Sequence, residues 1–156
     1  MTEVVFPERN DIAPEMKQLD FLLGEFNLSY TNLTTEVVTT GQATSVGKVI
    51  ADGRFYEITQ YIPVPGITAV WLIGWSDVDK RFVSFYYDDW GHHGTFTSPG
   101  WQDGQFRITG ESAVFGLTHR FVDAYETEAD GTVVKKGYVH VGDDLVPGDV
   151  VRFQRA

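Results

Sequence analysis

Cysteine is absent from the sequence. Disulfides, thiolate nucleophiles and thiolate metal sites are therefore excluded. Basic residues are few: 12 Lys and Arg stand against 22 Asp and Glu, a formal charge of −10. A surface of that sign repels both a phosphate backbone and an anionic bilayer, so neither nucleic acid nor membrane is an expected partner. No apolar run approaches the length of a membrane span, and no membrane insertion is expected. Met1 to Pro14 lacks the basic start and apolar run of a secretory leader, which leaves a cytoplasmic location as the default expectation. Also missing are a Gly-x-Ser-x-Gly elbow, a phosphate-binding glycine loop and a dinucleotide fingerprint. Covalent catalysis and nucleotide chemistry are disfavoured, and no cofactor is expected.

Aromatic residues, by contrast, are plentiful. The 156 residues include 11 Phe, 7 Tyr and 4 Trp. These side chains bury large areas and suit either a strand-built core or an apolar pocket. The length fits one domain with a substantial core.

Residues 1–13 are polar and read as an N-terminal arm, with Phe6 as its one candidate for docking. From Pro14 to Gly24 the pattern is helical. Pro14 suits a first helical position and Gly24 a helix end, and Met16, Leu19, Leu22 and Leu23 fall on one face. After Gly24 the period changes to two. Candidate strands are Phe26–Asn32, Ala43–Ala51, Arg54–Ile62, Thr68–Asp77, Arg81–Asp89, Gly94–Trp101, Gln105–Ala113, His119–Glu128, Val133–Val141 and Val150–Arg155. Turn signals separate them, among them Asp52-Gly53, Pro65-Gly66, Asp103-Gly104, Asp130-Gly131 and Pro147-Gly148. The fold expected is all-β: a closed antiparallel up-and-down β-barrel of about ten strands with one short N-terminal helix, spanning 14–156 as a single domain. A two-sheet sandwich is the alternative. Trp71-Leu72-Ile73-Gly74-Trp75 and Phe85-Tyr86-Tyr87 are apolar on both faces. The outer face then needs cover, from the N-terminal helix or from a second subunit in a homodimer.

Several segments together resemble calycin-like barrels, the group that includes nitrobindins and fatty-acid-binding proteins, and within it a bacterial single-domain family of uncharacterised function. They are Leu19-Asp20-Phe21-Leu22-Leu23-Gly24-Glu25-Phe26, Asp52-Gly53-Arg54-Phe55, Gly74-Trp75-Ser76-Asp77, Phe82 through Asp88 to Gly91, Thr118-His119-Arg120-Phe121 and Phe153-Gln154-Arg155. The resemblance implies a pairing of an aromatic on the first strand with an arginine on the last. Phe26 stands where Trp is usual, and Arg155 matches the arginine. A guanidinium stacked on a ring would cap the barrel floor. For function, such barrels host carriers, haem proteins and cofactor-free cyclases, so fold alone does not choose.

The most unusual stretch is Tyr86-Tyr87-Asp88-Asp89-Trp90-Gly91-His92-His93-Gly94. Loops at a barrel mouth are where ligand contacts come from. Alternation puts Phe82, Ser84, Tyr86, Asp88 and Trp90 on one face, taken as the inner one. Tyr86, Asp88 and Arg120 are the candidate catalytic residues. Asp88 would serve as a general base if burial raises its pKa, or else cap a turn. Arg120 would pair with Asp88 inside the barrel, or face solvent. Tyr56, Gln60, Trp90, His92, Trp101 and His140 are the candidate ligand contacts. His92 and His93 point to opposite faces and cannot share a metal, so no metal site is expected. His119 or His140 could ligate haem only if it faced inward.

Two functions remain open. The first is a cofactor-independent enzyme, a cyclase or isomerase of the kind used in natural-product biosynthesis, which folds an apolar, partly oxygenated small molecule inside the barrel. The second is a carrier for a lipid, haem or other hydrophobic ligand.

Overall fold

A computed structural model describes residues 1–33 and 39–156. A nine-residue 3-10 helix, Pro14–Leu22, comes first. Among the described residues eleven strands follow: β1 (Gly24–Asn32), β2 (Thr39–Ile50), β3 (Phe55–Ile62), β4 (Ile67–Ser76), β5 (Arg81–Asp88), β6 (His93–Ser98), β7 (Trp101–Gln102), β8 (Gln105–Val114), β9 (Leu117–Thr127), β10 (Val133–Val141) and β11 (Asp144–Arg155). Each pairs antiparallel with its neighbours, β1 pairs with β11, and β6 pairs with β8. That last pairing closes a ten-strand barrel, with the two residues of β7 as a spur on β8.

The fully buried residues of the helix recur at three. Met16, Leu19 and Leu22 are its buried residues, one face of a helix with three residues per turn. Leu23 lies past the end, in extended backbone. The helix does not lie on the outer wall, as the sequence suggested. Its apolar face enters the same cluster as Phe26, Tyr56, Phe82 and Phe106, so it plugs one end of the barrel. The outer face near Phe85 and Tyr87 stays open, 43% and 50% exposed. The expected floor pair forms: the Arg155 guanidinium lies 4.8 Å from the Phe26 ring centroid and donates to the Leu23 carbonyl at 2.9 Å. The arm does not dock through Phe6, which is exposed. Arg9 pairs instead with Asp52, and Arg54 bonds the Asn10 carbonyl.

One turn signal misled. Pro147-Gly148 lies inside β11, not between strands. Gly137 pairs with Asp149 while Tyr138 pairs with Pro147, so Gly148 is the extra residue of a bulge. Among the described residues the pairing of β1 with β11 runs as far as Asp149, two residues short of Pro147. The real hairpin turn is Gly142-Asp143, between the paired Val141 and Asp144.

Candidate functional site in the open half of the barrel

The strand ends opposite the helix carry the turns 63–66, 89–92, 115–116 and 142–143. Inward side chains differ between the two ends. Near the helix Phe26, Tyr56, Ile58, Phe82, Phe106 and Phe153 are all buried. Toward the other end the inward Tyr30, Gln60, Ile62, Trp71, Tyr86 and Phe121 are only half-buried. The barrel is thus a cup, with a packed floor and an accessible upper lumen. Trp71 lies 4.8 Å from Tyr86 and 5.2 Å from Phe96, centroid to centroid, and gives this lumen an aromatic wall.

Alternation on β5 places Phe82, Ser84, Tyr86 and Asp88 inward. Asp88 ends the strand, and its carboxylate accepts four hydrogen bonds. Oδ2 takes Tyr86 Oη–H at 2.7 Å and His92 Nδ1–H at 2.7 Å; Oδ1 takes the backbone N–H groups of Trp90 and His92, each at 3.0 Å. His92 Nε2 in turn accepts the Phe115 N–H at 3.2 Å, which assigns the proton to Nδ1. Burial pushes the Asp88 pKa up, but the bonds from Tyr86, His92 and Trp90 outweigh it and hold the value below the ordinary one. Asp88 is therefore a filled acceptor that closes the 89–92 turn, the turn-capping alternative, and the pKa rise a general base needs does not occur. Burial, then the Asp88 bond, pushes the Tyr86 phenol well up. With its proton given to Asp88, Tyr86 Oη offers the lumen only an acceptor.

Across the lumen sits a second polar cluster that the sequence reading missed. Lys135 Nζ lies 3.2 Å from Asp149 Oδ2 and 3.6 Å from Asp123 Oδ1, all three on inward positions. Burial would lower the Lys135 pKa, but the two carboxylates outweigh it and raise it. Burial raises that of Asp123, offset only in part by Lys135, and Asp149 adds to the rise. Gly137 makes the convergence feasible. A Cβ there would meet Asp149 Oδ1 at 2.1 Å and Asp123 Oδ1 at 3.1 Å. The signal was present in Phe121-Val122-Asp123-Ala124-Tyr125, where alternation sets a carboxylate between two inward aromatics. On β10 neither alternating set is uniformly apolar, so the face of Lys135 was unreadable.

The structure therefore joins Tyr86, Asp88 and His92 directly. Gln60 faces the same lumen, in line with Asp88 through Ala69. Trp90 lies past the strand end, where alternation no longer applies. It is 50% exposed on the rim, and its indole N–H donates to the Gly66 carbonyl at 3.1 Å. Four candidates lie elsewhere. Tyr56 is in the floor, its hydroxyl donating to Asp20 at 2.7 Å; burial, then that bond, pushes its pKa up to about 12. Trp101 is also at the helix end, bound to Gln18 through its backbone and indole N–H groups. Arg120 and His140 project outward, into a groove of about 580 Å³ on the outer wall with Phe85, Thr97 and Thr109. The expected Asp88–Arg120 pair does not form, because Arg120 falls on the even, outward positions of β9; the inward ones are His119, Phe121 and Asp123.

No protein-family model matches the chain, and no curated protein matches it. The fold has a solved counterpart. The crystal structure of Rv2717c from M. tuberculosis is similar over 94% of this chain and 99% of that chain, with a TM-score of 0.62 and 11% sequence identity. At that identity the likeness is one of fold. Among the described residues no helix is long and apolar enough to cross a membrane, and no three His, Asp or Glu residues are grouped to hold a metal ion.

Proposed function

We propose that the chain binds a small, largely apolar molecule in the open half of its barrel. The observation that carries this is the contrast along the lumen: inward residues are sealed near the helix and half-buried near the mouth. A cup with an aromatic wall and a few polar groups is the usual form of a small-molecule site. The likeness to calycin-like barrels, seen in the sequence, supports the same class. A carrier needs no more than this. Native mass spectrometry of protein purified gently from its own cells tests it: a noncovalent small-molecule adduct is expected. Ligand-free protein in every preparation, together with no saturable binding of the uncharged dye Nile red, would refute it.

One observation favours the cyclase or isomerase reading as a second choice. Asp123 is a lumenal carboxyl whose pKa is raised by burial despite the ammonium beside it, and a carboxyl so perturbed is a candidate for proton transfer. On that reading Asp123 takes the proton-transfer role first given to Asp88. Asp88, Tyr86 and His92 then shape the site and do not react.

A further inference from the structure

The charges on the lumen wall are unbalanced. Among the described residues, three carboxylates face the open half, those of Asp88, Asp123 and Asp149, against the single ammonium of Lys135. Asp88 is held ionised by its four hydrogen bonds, and Lys135 by its two carboxylate neighbours. Lys135 is thereby already partnered, and a ligand carboxylate would have to compete with Asp123 and Asp149 for it. The other polar group aimed at the lumen from β5 is Tyr86 Oη, which can only accept.

An independent observation marks a missing partner. Ser84 faces inward directly below Tyr86 and is 2% exposed, yet its hydroxyl is a buried side-chain polar atom with no hydrogen-bond partner. A buried polar atom left unpaired is costly. A polar ligand group reaching past Tyr86 would relieve it. Ser84 Oγ–H can donate or accept, but Tyr86 Oη can only accept, so a group that bonds to both must carry a donor.

Building on the reading of the open half as a ligand site, we infer that its ligand is an amine: an apolar, preferably aromatic body carrying a protonated amino group, not a carboxylate. The ammonium supplies donors to Tyr86 and Ser84 and offsets the excess negative charge of the wall. A carboxylate supplies no donor and adds to that excess. The site thus selects against fatty-acid-like anions.

The test uses three probes with one naphthyl body: 2-naphthylethylamine, 2-naphthylethanol and 2-naphthylacetate, titrated calorimetrically at neutral pH. The amine should bind at least about tenfold tighter than the acetate, a difference of about 1.4 kcal/mol, with the alcohol between them. Asp149→Asn should cut the amine's advantage several-fold while the alcohol's affinity is kept. Glu111→Gln, on the outer wall, should leave the advantage intact. Ser84→Ala, which removes a group without a partner and so leaves the fold intact, should weaken the amine and the alcohol. Equal or tighter binding of the acetate would overturn the inference while leaving the ligand site standing. So would an amine advantage that survives Asp149→Asn but is lost in Glu111→Gln. Binding of none of the three would remove the site and the inference together.

Discussion

Tyr86 gives its phenolic proton to Asp88 across 2.7 Å, and both side chains rise from the inner face of β5. This one bond fixes two properties of the mouth. It leaves Tyr86 an acceptor toward the lumen, and it completes the set of donors that keeps Asp88 ionised. The carboxylate then anchors the 89–92 turn through the Trp90 and His92 backbone. It also orients the imidazole that holds the 115–116 turn.

Asp88→Asn should therefore destabilise more than Tyr86→Phe. The amide cannot accept on both sides, and it turns N–H groups toward two donors; a loss of about 2–3 kcal/mol is expected, against about 1 kcal/mol for the phenol. Urea unfolding measures both. The sign of the pH dependence follows from the lowered pKa of Asp88. Its contribution is fully present above the unfolded value of about 3.9 and is lost as pH falls through the folded one. The gap between wild type and Asp88→Asn should close in acid. A gap that widens in acid would contradict the arrangement.

Lys135→Met should show a related dependence. Removing the ammonium leaves Asp123 and Asp149 close together without a cation. The folded pKa of Asp123, already raised, then rises further, so the penalty is greatest where its carboxyl would be ionised. Near neutral pH the variant should lose about 3 kcal/mol, and less as pH falls and Asp123 takes up a proton. A penalty independent of pH between about 4 and 8 would mean that the ion cluster is not what Lys135 supports.

Phe115 sits at φ +47 beside Gly116 at φ +78, the two central residues of the turn joining the paired Val114 and Leu117. Both positive values mark a type I′ turn, for which Asn-Gly is the favoured pair and a bulky first residue is strained. Phe115 is nonetheless 67% exposed, with its ring 4.7 Å from that of His92 at the mouth. Strain kept at a rim points to use. Phe115→Asn should raise stability by about 1 kcal/mol and weaken Nile red binding. Unchanged binding would make the residue a mere turn element.

The barrel was legible because hairpin connections and period-two alternation leave few alternatives. Alternation also gave the inner face of β5 correctly, since Phe82 and Ser84 continue the set that ends in Tyr86 and Asp88. Past Asp88 the strand ends and alternation no longer applies, and Trp90 stands on the rim. On β9 alternation sets His119, Phe121 and Asp123 on one face and Arg120 on the other, so of the two readings of Arg120 the solvent-facing one holds. Which end of the barrel is open could not be read at all. That depends on the helix entering the lumen, so Tyr56 and Trp101 went to the floor. The Lys135–Asp123–Asp149 cluster needs three strands in register and a bulge at Gly148, information that no single segment contains.

The most direct test of the ligand site is where a probe sits. Intermolecular NOEs from bound 2-naphthylethanol should reach the side chains of Trp71, Tyr86 and Phe121 in the upper lumen, and the Ser84 β-protons below them. NOEs confined to Phe85, Thr97 and Thr109 would put the ligand in the outer groove and contradict the account.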